Sequence, residues 1–133
     1  MGVTAKQIFV NLPVKNLQQS IDFFTTIGFE FSAQFTDEHA TCMVVSEHIF
    51  VMLLVEERFK VFTTKEISDA TKSTEAIVAL SVESREKVDE IVHKALEAGG
   101  KPSNEPQDHG FMYGWSFQDL DGHLWEFFYM AEQ

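Results

Sequence analysis

The segment "NLPVKN", residues 11–16, is answered by "ALSVES", residues 79–84. Leu12 stands opposite Leu80 and Val14 opposite Val82. Each segment closes a short apolar run and opens a stretch with helical spacing. Before the first lies "QIFVNLPV" (7–14), rich in β-branched and aromatic residues, which reads as a strand. Before the second lies "EAIVALSV" (75–82), which reads the same way. After the first, Asn16 is placed to cap a helix and Gln19 to complete a capping box. Leu17, Ile21, Phe24 and Ile27 then recur on one helical face, and Gly28 ends it. After the second, Ser84 caps a helix with the stripe Val88, Ile91, Val92, Ala95 and Leu96, ended by Gly99 and Gly100.

Three strands are expected after each helix. In the first half they are "FEFSAQF" (29–35), "ATCMVVS" (40–46) and "HIFVMLLV" (48–55). In the second they are the Pro-limited edge "KPSNEP" (101–106), then "FMYGWSF" (111–117) and "HLWEFFY" (123–129), the last two joined by the turn Asp119-Leu120-Asp121-Gly122. The order β-α-β-β-β therefore occurs twice, and an internal repeat of this length weighs more than any single propensity. The expected organisation is one domain over 1–133, with modules at about 7–55 and 76–130. Residues 56–75 form a polar linker, with Phe59, Phe62, Ile67 and Ala70 at the spacing of a short amphipathic helix. It reads as a connector on an edge or as a lid.

The chain has 133 residues, 44% hydrophobic and 13% aromatic, with thirteen Phe, which suits one well-filled domain. Its net charge of −11 argues against a nucleic-acid partner and against anionic lipid, since both need a basic face. That charge admits a cationic ligand as well as a plainly solvated acidic surface. A single cysteine, Cys42, excludes an internal disulfide and a Cys-rich zinc site, and reads as a buried strand residue. No apolar run reaches the roughly 20 residues of a membrane span. The start "MGVTAKQIF" lacks a signal-peptide core and the myristoylation pattern, so a soluble cytoplasmic protein is expected. Nothing resembles a nucleophile elbow, a P-loop or a dinucleotide fingerprint.

Three stretches, "LPVKNLQQSIDFFTTIGFEF", "IVALSVES" and "DLDGHLWEFF", resemble the vicinal oxygen chelate superfamily. That superfamily includes glyoxalase I, fosfomycin- and bleomycin-resistance proteins and extradiol dioxygenases. Leu120 stands where the family's Asp-Pro-Asp-Gly turn usually has Pro. Within the superfamily the chain is similar to small bacterial proteins predicted to be lactoylglutathione lyases. The resemblance implies an α+β fold of two βαβββ modules curled into a cup, and pairing of two chains. A homodimer also follows from the sheet edges and apolar residues that a lone cup leaves open.

The family's metal ligands come one each from the first and last strand of each module. Aligned on the motifs, those positions are Phe9, Ile77, Glu126 and Met52, with Leu53 in place of Met52 if the register slips by one. Phe, Ile and Met offer no oxygen or nitrogen to a divalent ion. No cofactor is therefore expected, and a divalent metal would have Glu126 alone. Side chains alternate along a strand, so Leu124 and Phe128 join Glu126 on the cup face, with Phe9, Asn11, Phe50, Met52, Leu54, Ile77 and Ala79. This is the form of a small-molecule site: an apolar lining with few polar groups. A carboxylate there is expected to be desolvated, and could serve as a general base or as the counter-charge for a cationic ligand. A relic carboxylate bonded to Asn11 or Tyr113 is the plainer reading.

His109, on a loop near Tyr113, is the candidate to assist, as is Tyr113 itself. The stripe Phe111, Tyr113, Trp115 and Phe117 also reads as core. His123 reads as a turn cap or a packed residue, and Arg58 as a surface residue or an anion contact. The reading that follows is a glyoxalase-like protein that binds, and can transform, a small organic molecule without a complete metal site. Three alternatives stand beside it: a metal-dependent lyase of the lactoylglutathione type, a non-enzymatic drug-sequestering protein, and a cup filled by its own side chains.

Overall fold

The computed structural model describes residues 2–131. The chain divides between Ile67 and Ser68 into two compact units. The first contains β1 (Ile8–Val14), α1 (Leu17–Ile27), β2 (Glu30–Ser32), β3 (Ala40–Val44), β4 (Ile49–Val55) and a short α2 (Glu56–Phe59). The second contains β5 (Ile77–Ser81), α3 (Arg85–Glu97), β6 (Lys101–Pro102), β7 (Gln107–Asp108), β8 (Met112–Gln118) and β9 (Leu124–Met130). This is the duplicated α+β arrangement that the repeat implied.

Local chemistry starts and stops the two long helices where expected. The Asn16 side chain accepts the Gln19 amide at 3.0 Å, and the Ser84 hydroxyl accepts the Lys87 amide at 3.0 Å. Gly28, at φ +124°, ends α1, and its amide reaches back to the Phe24 carbonyl. In each unit the first strand lies parallel to the last: β1 beside β4, β5 beside β9. The sheet orders are β1-β4-β3-β2 and β5-β9-β8-β6, with β7 also on β8.

Each sheet has one face closed by a helix and one more open face, although Ala40, Cys42 and Leu54 on the latter face of the first sheet are buried. In the first unit Met43, Val51 and Leu53 are fully buried under α1. Their neighbours in sequence, Phe50 and Met52, are only half-buried, and Phe9 is 49% exposed. In the second unit Phe117, Trp125 and Phe127 stack ring on ring beneath α3, which packs on β8 and β9. The alternating residues Leu124, Glu126 and Phe128 are half-buried on the other side. A strand buries every second residue, and the larger apolar set went to the helix side.

Three local expectations are corrected. Residues 29–35 are not one strand: the chain leaves β2 at Ser32 for a single 3₁₀ turn, Ala33–Phe35. The Thr36 hydroxyl closes that turn on the Ser32 carbonyl at 2.6 Å. The linker forms no amphipathic helix over Phe59 to Ala70. α2 ends at Phe59, a 3₁₀ turn follows at Lys60–Phe62, and Phe62 is 72% exposed. The edge expected over 101–106 is instead two two-residue strands, β6 and β7, interrupted between Pro102 and Pro106. Proline has no amide to give a ladder, so neither position can carry the edge through.

Candidate functional site

Glu126 sits mid-strand on β9. Ala79 of β5 is its partner on one side and Ser116 of β8 on the other. Directly opposed residues in a sheet share a face. Glu126 therefore shares its face with Ile77, Ala79, Leu124, Phe128, Met112 and Gly114. Ile77 is 58% exposed and Glu126 keeps part of its surface in water. The carboxylate is thus set in an apolar surface at the sheet's open side, rather than enclosed. A notch of about 30 Å³ beside it is lined by Asn104, Glu105, Gln107, Met112, Gly114, Trp115, Ser116 and Glu126.

The first unit's open face holds the remaining expected contacts. Phe9 stacks on its strand partner Phe50 with ring centroids 4.8 Å apart. Asn11 pairs with Met52, and the Asn11 side-chain amide donates to the Phe9 carbonyl at 3.2 Å. Met52, not Leu53, faces this side, because Leu53 is fully buried with Val51.

Tyr113 is not brought to Glu126. Its strand partners, Asp108 of β7 and Tyr129 of β9, place it on the α3 face with Trp115 and Phe117, and its hydroxyl donates to the Asp89 carboxylate of α3. The Arg85 guanidinium lies over its ring at 5.4 Å. Burial, then the bond to Asp89, push the Tyr113 phenol up to about 12. His109 is also remote. Its amide bonds the Met112 carbonyl, four residues along β8 from Ser116, roughly 13 Å at strand rise. Its loop is pinned to α3 instead. Arg85 donates to Asp108 at 2.8 Å and to the Gly110 carbonyl at 2.8 Å. The Gly110 amide bonds Asp108 as well, and these contacts hold the Asp108 carboxyl below its usual range.

The phenol gives a pH test. Its folded value of about 12 exceeds the free value of 10, so the bonded phenol supports the fold fully below pH 10 and is lost as pH rises toward 12. Urea unfolding of the parent should show a fall in stability across that interval. Tyr113→Phe should be less stable at neutral pH and should lose most of that fall. Parallel curves for the two proteins from neutral pH to pH 12 would contradict the assignment.

The turn before β9 owes its shape to a residue whose role sequence reading missed. Asp119 is 4% exposed. One carboxylate oxygen accepts the Asp121 and His123 amides, at 2.9 and 3.0 Å, and the other accepts the Trp125 indole N–H at 2.9 Å. Burial pushes this carboxyl up, while the charge of His123 and these donors oppose the shift. The Asp-x-Asp-Gly spacing signals an Asx-type turn. Only the fold shows that the same side chain also holds the core indole. His123 caps the turn through its backbone. Arg58 helps, after the His39 amide, to lower the Asp37 carboxyl.

The metal positions implied by the resemblance do not fit a divalent ion. Phe9, Met52 and Ile77 bring no oxygen or nitrogen, and the strand neighbours of Glu126 are Ala79 and Ser116. Among the described residues no group of three or more His, Cys, Asp or Glu is placed to hold a metal. No helix among them is long and apolar enough to cross a membrane.

Two βαβββ modules, each with a helix on one sheet face and a more open opposite face, define the class. The chain belongs to the Glyoxalase/Bleomycin resistance protein/Dioxygenase superfamily, whose model matches residues 6–127. Among solved structures it is similar to the hypothetical protein SA1046 from S. aureus, at 29% identity and a TM-score of 0.79, over 96% of this chain and 95% of that one. A family enzyme from Burkholderia phytofirmans PsJN matches at 15% identity and a TM-score of 0.78, over 92% and 97% of the two chains. The fosfomycin resistance protein FosX from Listeria monocytogenes matches at 19% and 0.69, over 98% and 95%. None of the curated proteins matches.

Proposed function

We propose that this protein binds a small organic molecule at the open sheet face around Glu126, and acts on it without a complete metal site. The observation that carries this reading is the position of Glu126: the single carboxylate among apolar residues on that face of β5 and β9. An apolar surface takes the body of a ligand, and one carboxylate orients it or accepts its proton. The open face of the first sheet, with Phe9, Asn11, Phe50 and Met52, is a further proposed contact surface. Cytoplasmic location and pairing of two chains belong to the same proposal.

The test is a thermal-shift screen of small metabolites against the parent and Glu126→Gln. The substitution keeps shape and hydrogen bonding but removes the charge. Ligands that stabilise the parent should lose at least about tenfold in affinity, roughly 1.4 kcal/mol, while the free variant melts within a few degrees of the parent. Hits that bind both proteins equally would reject Glu126 as the centre of the site. Turnover of methylglyoxal with glutathione, dependent on an added divalent metal, would favour the lyase alternative instead.

A further inference from the structure

The interrupted edge of the second sheet has a use. Pro102 pairs with Phe117 and Gln107 with Gly114. Between those pairs the edge spends four residues, 103–106, while β8 spends only two, Trp115 and Ser116. Two extra residues in one strand make a bulge, and a bulge re-aims side chains. Its level in the sheet matters, because Ser116 is the strand partner of Glu126. The Asn104 amide donates to the Ser116 hydroxyl at 3.1 Å, which ties the bulge to Glu126's side of the sheet. Gln107 opposes Gly114 and so faces that side too, whereas Asp108 faces Arg85 on the other. Gly114 and Ser116 are small, which leaves the notch between the bulge and Glu126 open.

Resting on the functional reading above, we infer that this notch receives a primary ammonium group, and that the ligand is an amine with an apolar body. Its volume of about 30 Å³ exceeds the roughly 10–15 Å³ that one water-sized group needs, so it admits –NH₃⁺. The polar residues that line it are Glu126, Glu105, Asn104, Gln107 and Ser116, with no basic residue among them. An ammonium offers three donors and no acceptor, and so suits an acceptor-rich recess with two negative charges. Met112, Leu124 and Phe128, on the same face, supply the apolar ground for the rest of the ligand. The net charge of −11 raises the concentration of cations around the whole molecule.

Three probes of one size test this by NMR titration: 2-phenylethylamine, 2-phenylethanol and phenylacetate. The amine should shift the backbone amide of Gly114 and the side-chain amides of Asn104 and Gln107. It should bind about tenfold more tightly than the alcohol, with the acid weakest. Glu105→Gln, at an exposed position, should weaken the amine roughly threefold and leave the alcohol unchanged. Equal binding of the three probes, or an amine affinity that ignores Glu105→Gln, overturns the assignment. If the three then bind alike at Leu124 and Phe128 and all weaken in Glu126→Gln, the open face still binds ligands and only the ammonium assignment falls. If no probe shifts any signal of this face, both readings fall.

Discussion

Replacing Asp119 by alanine lowers the unfolding free energy by about 3–4 kcal/mol, a large share of what a domain of this size holds. The carboxylate accepts two amides of its own turn and the indole N–H of Trp125. Hydrogen bonds to a charged group contribute about 1.5–3 kcal/mol each, and a buried donor left without a partner costs about 1–3. The desolvation of Asp119 itself is relieved in the variant, so the sum is not reached. Trp125 is fully buried in the stack with Phe127, and its indole N–H would lose the Asp119 acceptor. Asp119→Asn should cost less, about 1–2 kcal/mol. Its one oxygen can still serve the two turn amides, but its NH₂ then meets the indole donor. Urea unfolding followed by tryptophan fluorescence orders the three proteins. A loss below about 1 kcal/mol for the alanine variant would show that the turn stands without the carboxylate.

Gly122→Ala carries the second large effect, about 3 kcal/mol. Gly122 has φ +91°, where an L-residue is strained by about 1–2 kcal/mol. Its added Cβ would also stand 2.8 Å from the Ala70 carbonyl oxygen and 2.9 Å from the Thr71 amide nitrogen. Those are backbone atoms, so a rotamer change cannot relieve the clash and the 68–72 segment must move. Gly28→Ala is the control. It shares the positive φ, at +124°, but no heavy atom lies within 4 Å of the new Cβ. It should cost only the conformational strain, about 1–2 kcal/mol. Equal melting temperatures for the two variants would mean that the 68–72 segment yields freely and the close approach does not hold the turn in place.

Much of this molecule was legible from its residues because the signals are local. The helix caps Asn16 and Ser84 and the stop at Gly28 depend on neighbours within a turn. The repeat of "NLPVKN" in "ALSVES" set the duplicated architecture. Alternation along "LWEFF" was enough to send Trp125 and Phe127 one way and Glu126 the other, since successive side chains in a strand must part.

The composition of the site was decided elsewhere. Alternation states which residues of β8 share a face, but not which face of β9 they join. That choice is the pairing register, Ser116 against Glu126, and it placed Tyr113 with α3. A turn of different length would have shifted the register by one and reversed the assignment. The bulge at 103–106 is likewise visible only as a mismatch between two paired strands, although Pro102 and Pro106 mark where a ladder could not run. Asp119 shows the same division. Its turn is written in four adjacent residues, but its burial depends on the indole of Trp125 folding back onto it. Local chemistry determined where each element begins and ends. Register, which balances the apolar faces of whole strands against each other, determined which side chains meet.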